Sequence, residues 1–209
     1  MKAALVTGGA RRIGRAIVED LAAHGFAVAI HANGSFGEAE ALAAGLSAAG
    51  AKAVALQADL TDVTAASGLI AQATARLGPL DLLVNNASVF NKDSLEQFDE
   101  GVWERHFALH VKAPSLLARD FARQRPGDVS GLIVNVIGPG PTLPNERQDP
   151  RDFEAQVNAL ILRRGPALDE FGRAIRFLFD TPSVTGQMIA LDGGQHLAWE
   201  TPDIREIVE

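Results

Sequence analysis

The sequence predicts an α/β fold built on a doubly wound parallel sheet, and three observations predict it. Short β-branched apolar runs alternate with longer helical stretches through the first half of the chain, the rhythm of repeated β-α units. Those helical stretches carry apolar residues at three- and four-residue spacing. A glycine-rich turn, Thr7-Gly8-Gly9-Ala10-Arg11-Arg12-Ile13-Gly14, stands between the first strand-like run and the first helical one.

Taken in order, apolar runs give strands at residues 3–7, 26–31, 52–57 and 80–85. Ala/Leu-rich periodic stretches between them give helices at 13–24, 36–49 and 62–77, each followed by a glycine (Gly25, Gly50, Gly78) placed to turn left-handed past a helix end. A long helical segment spans 97–124 and stops at the turn Arg125-Pro126-Gly127-Asp128. The run Gly131-Leu132-Ile133-Val134-Asn135-Val136-Ile137 reads as a fifth strand leading into Gly138-Pro139-Gly140-Pro141. Thr142 to Pro150 is Pro-, Asn- and charge-rich and reads as a loop; helices follow near 151–162 and 167–180. Met188 to Leu191 makes the last strand, ended by Asp192-Gly193-Gly194, and residues 200–209 form a frayed acidic tail.

Composition narrows the function. With 47% hydrophobic and 22% charged residues the chain can bury a core, so residues 1–209 are expected to form a single globular domain. Nineteen Lys+Arg against 26 Asp+Glu leave a net charge of -7 without a basic run, which argues against nucleic-acid partners. No apolar stretch reaches the roughly 18 residues of a membrane span, and Met1-Lys2-Ala3-Ala4 runs directly into the first strand without a cleavable signal. A cytoplasmic location and no membrane partner are therefore expected. Zero cysteines exclude disulfides and thiolate chemistry, and five scattered histidines argue against a metal site.

The glycine turn closes a strand and opens a helix, where backbone N–H groups and the helix N-terminus meet a pyrophosphate in Rossmann-like folds. An NAD site carries an Asp or Glu at the end of the second strand; here that end reads Ile30-His31-Ala32-Asn33-Gly34-Ser35. No carboxylate repels a 2′-phosphate, while Arg12, His31, Asn33 and Ser35 offer donors to one. NADP(H) is expected over NAD(H), with one of the two arginines only solvating the turn.

Thr7-Gly8 with Gly14, Asp59-Leu60 after the third strand, Asn85-Asn86-Ala87 after the fourth, Pro139-Gly140 and Asp192-Gly193-Gly194 resemble, in order and spacing, the short-chain dehydrogenase/reductase family. Arg12 in place of the usual middle glycine, with Asn85-Asn86-Ala87-Ser88-Val89-Phe90, resembles its pteridine reductase and dihydromonapterin reductase branch. The resemblance implies that Gly8, Arg11, Arg12, Ile13 and Gly14 hold the pyrophosphate and the 2′-phosphate side. Asp59 and Leu60 would hold the adenine, Asn86 and Ala87 the ribose, with Pro139 and Gly140 also on the cofactor. It places Ser88 and Phe90 on a substrate, the phenyl ring against a flat heterocycle; a core aromatic is the alternative for Phe90. Residues 142–165 would form the substrate-loop region. His110 stands on the helix whose family counterpart supplies a catalytic-site Asn, and is either a proton carrier or a packed histidine.

One interval departs from the family. Its chemistry uses a Tyr, a Lys four residues later and a Ser on the preceding strand end. This chain has no tyrosine, and all four lysines, Lys2, Lys52, Lys92 and Lys112, precede Gly131. Val134-Asn135-Val136 resembles a join between two family strands, with about 45 residues missing, the length of one strand and a long helix. The fold is then one strand and one helix short of the usual family fold, and a helix that relatives use for dimerisation is absent, leaving homo-oligomerisation open. The resemblance implies an NADP(H)-dependent oxidoreductase reducing a carbonyl or pterin-like small molecule, catalytically impaired as written, with His110 and Ser88 as the remaining acid candidates. The alternatives are a non-catalytic NADP(H)-binding protein and a non-functional deletion product of a reductase.

Overall fold

A computed structural model describes residues 1–91, 96, 98–124, 134–144 and 148–198. The turn Arg125–Asp128, the first residues of the expected fifth strand (131–133) and the tail 200–209 lie outside the described residues. The chain divides between Leu132 and Ile133 into two compact units.

In the first unit, β1 (Ala3–Val6), α1 (Arg12–Ala23), β2 (Ala27–Ala32), α2 (Phe36–Ala48), β3 (Ala53–Gln57), α3 (Val63–Leu77) and β4 (Leu82–Val84) alternate as the periodicity requires. All strand pairs are parallel, in the order β3-β2-β1-β4. β1 and β2 are buried along their whole length, and this burial on both faces is why they read as unbroken apolar runs. α1 turns Ile17, Val18, Leu21 and Ala22 inward, and α3, capped by the Asp62 carboxylate accepting from Ala65 N–H at 2.8 Å, turns Ala66, Leu69, Ile70 and Ala73 inward. Gly25, Gly50 and Gly78 have positive φ at the ends of these helices.

The connection through α3 reverses the direction of winding: β2 and β3 lie on one side of β1, and β4 on the other. Where the strand order reverses, the loops leaving the carboxyl ends of β1 and β4 diverge and open a crevice. The glycine turn after β1 and the Asn85-Asn86-Ala87 turn after β4 both lie at that switch point.

The helical segment expected over 97–124 is α4 (Glu100–Phe107), a π-helical turn (Ala108–Lys112) and α5 (Ala113–Arg123). Leu117 of α5 is fully buried with Leu69, Leu80 and Leu5. Gln124 fastens its end: Oε1 accepts from Leu80 N–H at 2.7 Å and Nε2 donates to Leu80 O at 3.0 Å.

In the second unit, β5 (Val136–Pro139) pairs in parallel with β6 (Met188–Leu191), and α6 (Pro150–Ala159) and α7 (Leu168–Asp180) lie between them in sequence. Among the described residues ladder pairing starts at Val136, so Val134 and Asn135 of the expected strand stand outside it. Asn135 takes its bonds through its side chain instead, Nδ2 donating to Val184 O at 2.8 Å and Oδ1 accepting from Gln187 N–H at 3.1 Å. α6 ends at Ala159, short of the expected 162, because Leu160 is extended (ψ 145°) and buried. Among the described residues no helix is long and apolar enough to cross a membrane.

Candidate functional site

Thr7, 1% exposed at the end of β1, organises the switch point. Its N–H donates to Val84 O at 2.9 Å. Its hydroxyl accepts from Asn86 N–H (2.9 Å) and Ala87 N–H (3.0 Å) and donates to Val84 O (3.4 Å). Asn86 Nδ2 returns the tie to Thr7 O (3.0 Å) and Gly8 O (3.1 Å). The turn after β4 is thereby stitched to the turn after β1. Thr7 was not among the sequence candidates; a hydroxyl residue closing a buried strand directly before two glycines is the signal that marks it.

The glycine turn is tight because it must be. Gly8 sits at φ +61°, and a Cβ there would stand 2.9 Å from Ala87 Cα. A Cβ at Gly14 would overlap the Gly8 carbonyl oxygen and stand 2.5 Å from Asn86 Nδ2. The N-cap residue of α1, Arg11, makes no side-chain bond to the first helical turn, so the partial positive charge of these N–H groups faces the glycine turn. A cradle that admits no side chain, at an uncapped helix start, fits a pyrophosphate.

Arg12 holds a left-handed backbone, φ +54°. Outside glycine this conformation is strained by roughly 1–2 kcal/mol, so the chain keeps the glycine conformation while carrying a guanidinium there. Arg11 pairs with Glu38 of α2, and its hydrogen bond holds the Glu38 carboxyl below the usual range; it is the arginine committed to the surface.

His31 corrects the expectation that it offers a donor to a phosphate. It is 2% exposed, with Nδ1 accepting from Gly8 N–H at 3.3 Å and Nε2 facing Ala58 O at 3.1 Å. The carbonyl can only accept, so the proton is on Nε2 and Nδ1 is the acceptor. Burial pushes its pKa down, which keeps the ring neutral and able to hold Gly8. Asn33 is exposed, and its side chain bonds to Asp59; Ser35 precedes α2 without a side-chain capping bond. Hydrogen bonds from Thr61 N–H (2.9 Å) and Oγ1 (2.7 Å) hold the Asp59 carboxyl low.

A cavity of about 100 Å³ brings together Thr7, Leu60, Ala87, Leu109, His110 and Leu117. At its rim Ser88 Oγ lies 3.1 Å from His110 Nε2, which also accepts from Val89 N–H at 3.3 Å. One turn earlier, His106 Nε2 accepts from Asn91 N–H at 3.2 Å, and the two imidazoles meet edge to face with centroids 5.4 Å apart. The histidines are therefore not all scattered: His106 and His110, four apart, share one helix face, a spacing the sequence reading passed over. Burial, then the nearby His106, lowers the His110 pKa. Phe90 is 58% exposed, which overturns the core-aromatic alternative.

Pro139 and Gly140 belong to the second unit. Gly140 N–H donates to Leu191 O at 3.0 Å, and a Cβ on Gly140 would lie 2.6 Å from Asp192 Cα. The buried Asp192 carboxylate accepts from Gly194 N–H, His196 N–H and His196 Nδ1 at 2.9, 2.9 and 2.8 Å, so this acid closes a turn.

The model of the short chain dehydrogenase family matches residues 2–145. An uncharacterized oxidoreductase of Methylorubrum extorquens is 38% identical over 65% of the chain and 54% of its own length. A 3-oxoacyl-[acyl-carrier-protein] reductase of Staphylococcus aureus is 33% identical over 65% of the chain and 55% of its own length. The chain thus spans about half the length of the curated relatives it matches. Among solved structures, the FolM alternative dihydrofolate reductase 1 of Brucella canis complexed with NADP is 47% identical, with 97% of each chain covered and a TM-score of 0.91. A short chain dehydrogenase of Burkholderia cenocepacia in complex with NADP is 28% identical, with 93% and 98% covered and a TM-score of 0.85. With its parallel sheet, its stitched glycine turn and a family match over most of its length, the chain belongs to the short chain dehydrogenase family.

Proposed function

We propose that the chain is an NADP(H)-dependent oxidoreductase for a carbonyl or pterin-like substrate, and that it turns over slowly. The glycine cradle beside a β2 end without a carboxylate carries this reading. In this reading Gly8 and Gly14 admit the pyrophosphate and Arg12 pairs with the 2′-phosphate, and the sequence has Asn33 and Ser35 where an NAD site has its acid. The exposed Phe90 ring supports a flat heterocyclic substrate, as does the likeness to the FolM alternative dihydrofolate reductase. When bound, the reduced nicotinamide supplies hydride. The chain's part is to orient the substrate at Ser88 and Phe90 and to provide a proton.

Slow turnover follows from the missing tyrosine, since general acid catalysis contributes about 10²- to 10⁴-fold. We place the loss at Val134-Asn135, where family strands join without the intervening strand and helix; the coding DNA across that junction tests this directly. The missing acid also favours a second reading, a non-catalytic NADP(H)-binding protein.

The deciding experiment is thermal unfolding with NADPH and with NADH. At about 100 times its dissociation constant a ligand stabilises by about 2.7 kcal/mol, roughly 5–10 °C for a chain of this size. A shift with NADPH and little with NADH is expected; no shift with either sinks the reading. Turnover of carbonyl probes then separates enzyme from binder.

Arg12→Gly sharpens this. Relief of left-handed strain, about 1–2 kcal/mol, is offset in part by glycine's extra backbone entropy of about 0.5–1 kcal/mol, so the melting temperature stays level or rises by up to about 6 °C. Losing a charge-assisted contact of about 1.5–3 kcal/mol weakens NADPH binding roughly 10- to 100-fold and leaves NADH nearly unchanged. Equal losses for both cofactors would show that Arg12 does not read the 2′-phosphate.

A further inference from the structure

We propose that Ser88 and His110 form the proton-delivering pair of this enzyme, Ser88 facing the substrate and His110 recharging it, with His106 as the residue that positions and tunes His110. The inference rests on the oxidoreductase reading above and deepens it.

The geometry is that of a relay. Ser88 follows the stitched Asn85-Asn86-Ala87 turn, so its position is fixed by the bonds of Asn86 and Ala87 to Thr7. Its hydroxyl is 3.1 Å from His110 Nε2, within proton-transfer reach. His110 sits on the π-helical turn, a distortion that widens the helix and recurs at functional sites. Its other ring nitrogen is satisfied by the His106 backbone, which fixes the tautomer with Nε2 toward Ser88. His106 is itself anchored by Asn91 N–H at 3.2 Å. Phe90, two residues beyond Ser88, presents an exposed ring beside this pair in sequence.

The step balances. In reduction, the substrate carbonyl carbon gains hydride, with its electron pair, from the reduced nicotinamide. The carbonyl oxygen forms an O–H bond to the Ser88 proton as the Ser88 O–H bond breaks, and Ser88 Oγ takes the Nε2 proton of imidazolium His110. His110 is left neutral and regains a proton from water. In oxidation the same protons run backward, with neutral His110 as the base.

The pair's charge state is set locally. Among the described residues, Val89 N–H donates to His110 Nε2 at 3.3 Å, a bond of the neutral ring that the imidazolium must give up, Ser88 lies beside the same nitrogen, and Thr7, Leu60, Asn85, Ala87 and Leu117 share the cavity with the ring; none is charged. The titratable neighbour acting on it is His106, whose positive form disfavours a second charge 5.4 Å away. The acid form of His110 is therefore scarce at neutral pH and grows as pH falls.

The test combines histidine NMR titration of the cofactor-free chain with NADPH-dependent reduction of an aromatic α-diketone between pH 5.5 and 8.5. For the wild type, the His110 signal should titrate below the usual 6.5, and kcat should fall about tenfold for each pH unit above that midpoint. Ser88→Ala and His110→Gln should lower kcat at the acid end by about 10- to 1,000-fold and flatten the profile, while keeping the NADPH-induced thermal shift. His106→Gln, whose amide can still accept from Asn91 N–H, should move both the NMR midpoint and the kinetic midpoint upward together, which lost packing alone would not do. A flat wild-type profile, a kcat unchanged in Ser88→Ala and His110→Gln, or no reduction above background while NADPH binds would overturn the pair. Failure of the wild type to bind NADPH would instead overturn the oxidoreductase reading beneath it.

Discussion

Gly14→Ala should abolish the NADPH-induced thermal shift and lower the melting temperature, although helix propensity alone favours the change. Alanine in place of glycine within a helix gains roughly 1 kcal/mol. Here the new methyl overlaps the Gly8 carbonyl oxygen and presses on Asn86 Nδ2. Neither can step aside: Gly8 O accepts from Asn86, Gly8 N–H is held by His31 Nδ1, and Gly9 N–H donates to His31 O at 2.9 Å. Overpacking of this kind costs about 1–3 kcal/mol, so the net loss is at most about 2 kcal/mol, up to roughly 8 °C. The larger effect falls on binding, because the turn that must open is the one that approaches the pyrophosphate. Gly37→Ala, in α2 with nothing near its added Cβ, is the control and should be neutral or stabilising. A Gly14→Ala protein with a full NADPH shift would show that the phosphates do not lie against this turn.

Thr7→Val should carry the largest loss of stability. Valine matches the shape of threonine but removes the oxygen that accepts Asn86 N–H and Ala87 N–H and satisfies Val84 O. A buried donor left without a partner costs about 1–3 kcal/mol; two of them bring about 2–6 kcal/mol, roughly 4–24 °C for a chain of this size. The NADPH shift should shrink as well, since the β4 turn loses its tie to the glycine turn. Thr7→Ser keeps the hydroxyl and should restore most of both. Thr7→Val melting within about 2 °C of the wild type would remove Thr7 from the centre of the site.

The fold was legible where one element's own pattern decides it. β1 and β2 announce themselves because both faces are buried, and α1 and α7 because their apolar stripes repeat at three and four. The site was legible only where backbone geometry demands a residue type, as at Gly8 and Gly14. Side chains whose roles depend on distant partners were not. His31 reads as a polar strand end and becomes a buried anchor because Gly8 and Ala58, 23 and 27 residues away, supply its bonds. Thr7 depends likewise on a turn 79 and 80 residues downstream. Val134 and Asn135 were drawn into a strand because nothing in their sequence shows that the Asn135 side chain would take bonds a strand backbone makes.

The π-helical turn at Ala108–Lys112 sets the phase of everything after it. Trp103, Phe107, Val111, Ser115 and Arg119 are all exposed, a stripe at constant spacing of four. At about 100° per residue, an unbroken α-helix would carry Arg119 about 160° around from Trp103, toward the side where Leu117 is buried. The widened turn withholds one residue's rotation and reduces that drift to about 60°. Chain length in this stretch is thus as much a part of the design as residue identity: closing 108–112 into a regular helix with all its residues kept would rotate Leu117 away from Leu69 and Leu80 and bring a guanidinium toward the core, whereas removing one residue from the turn would leave Leu117 in phase.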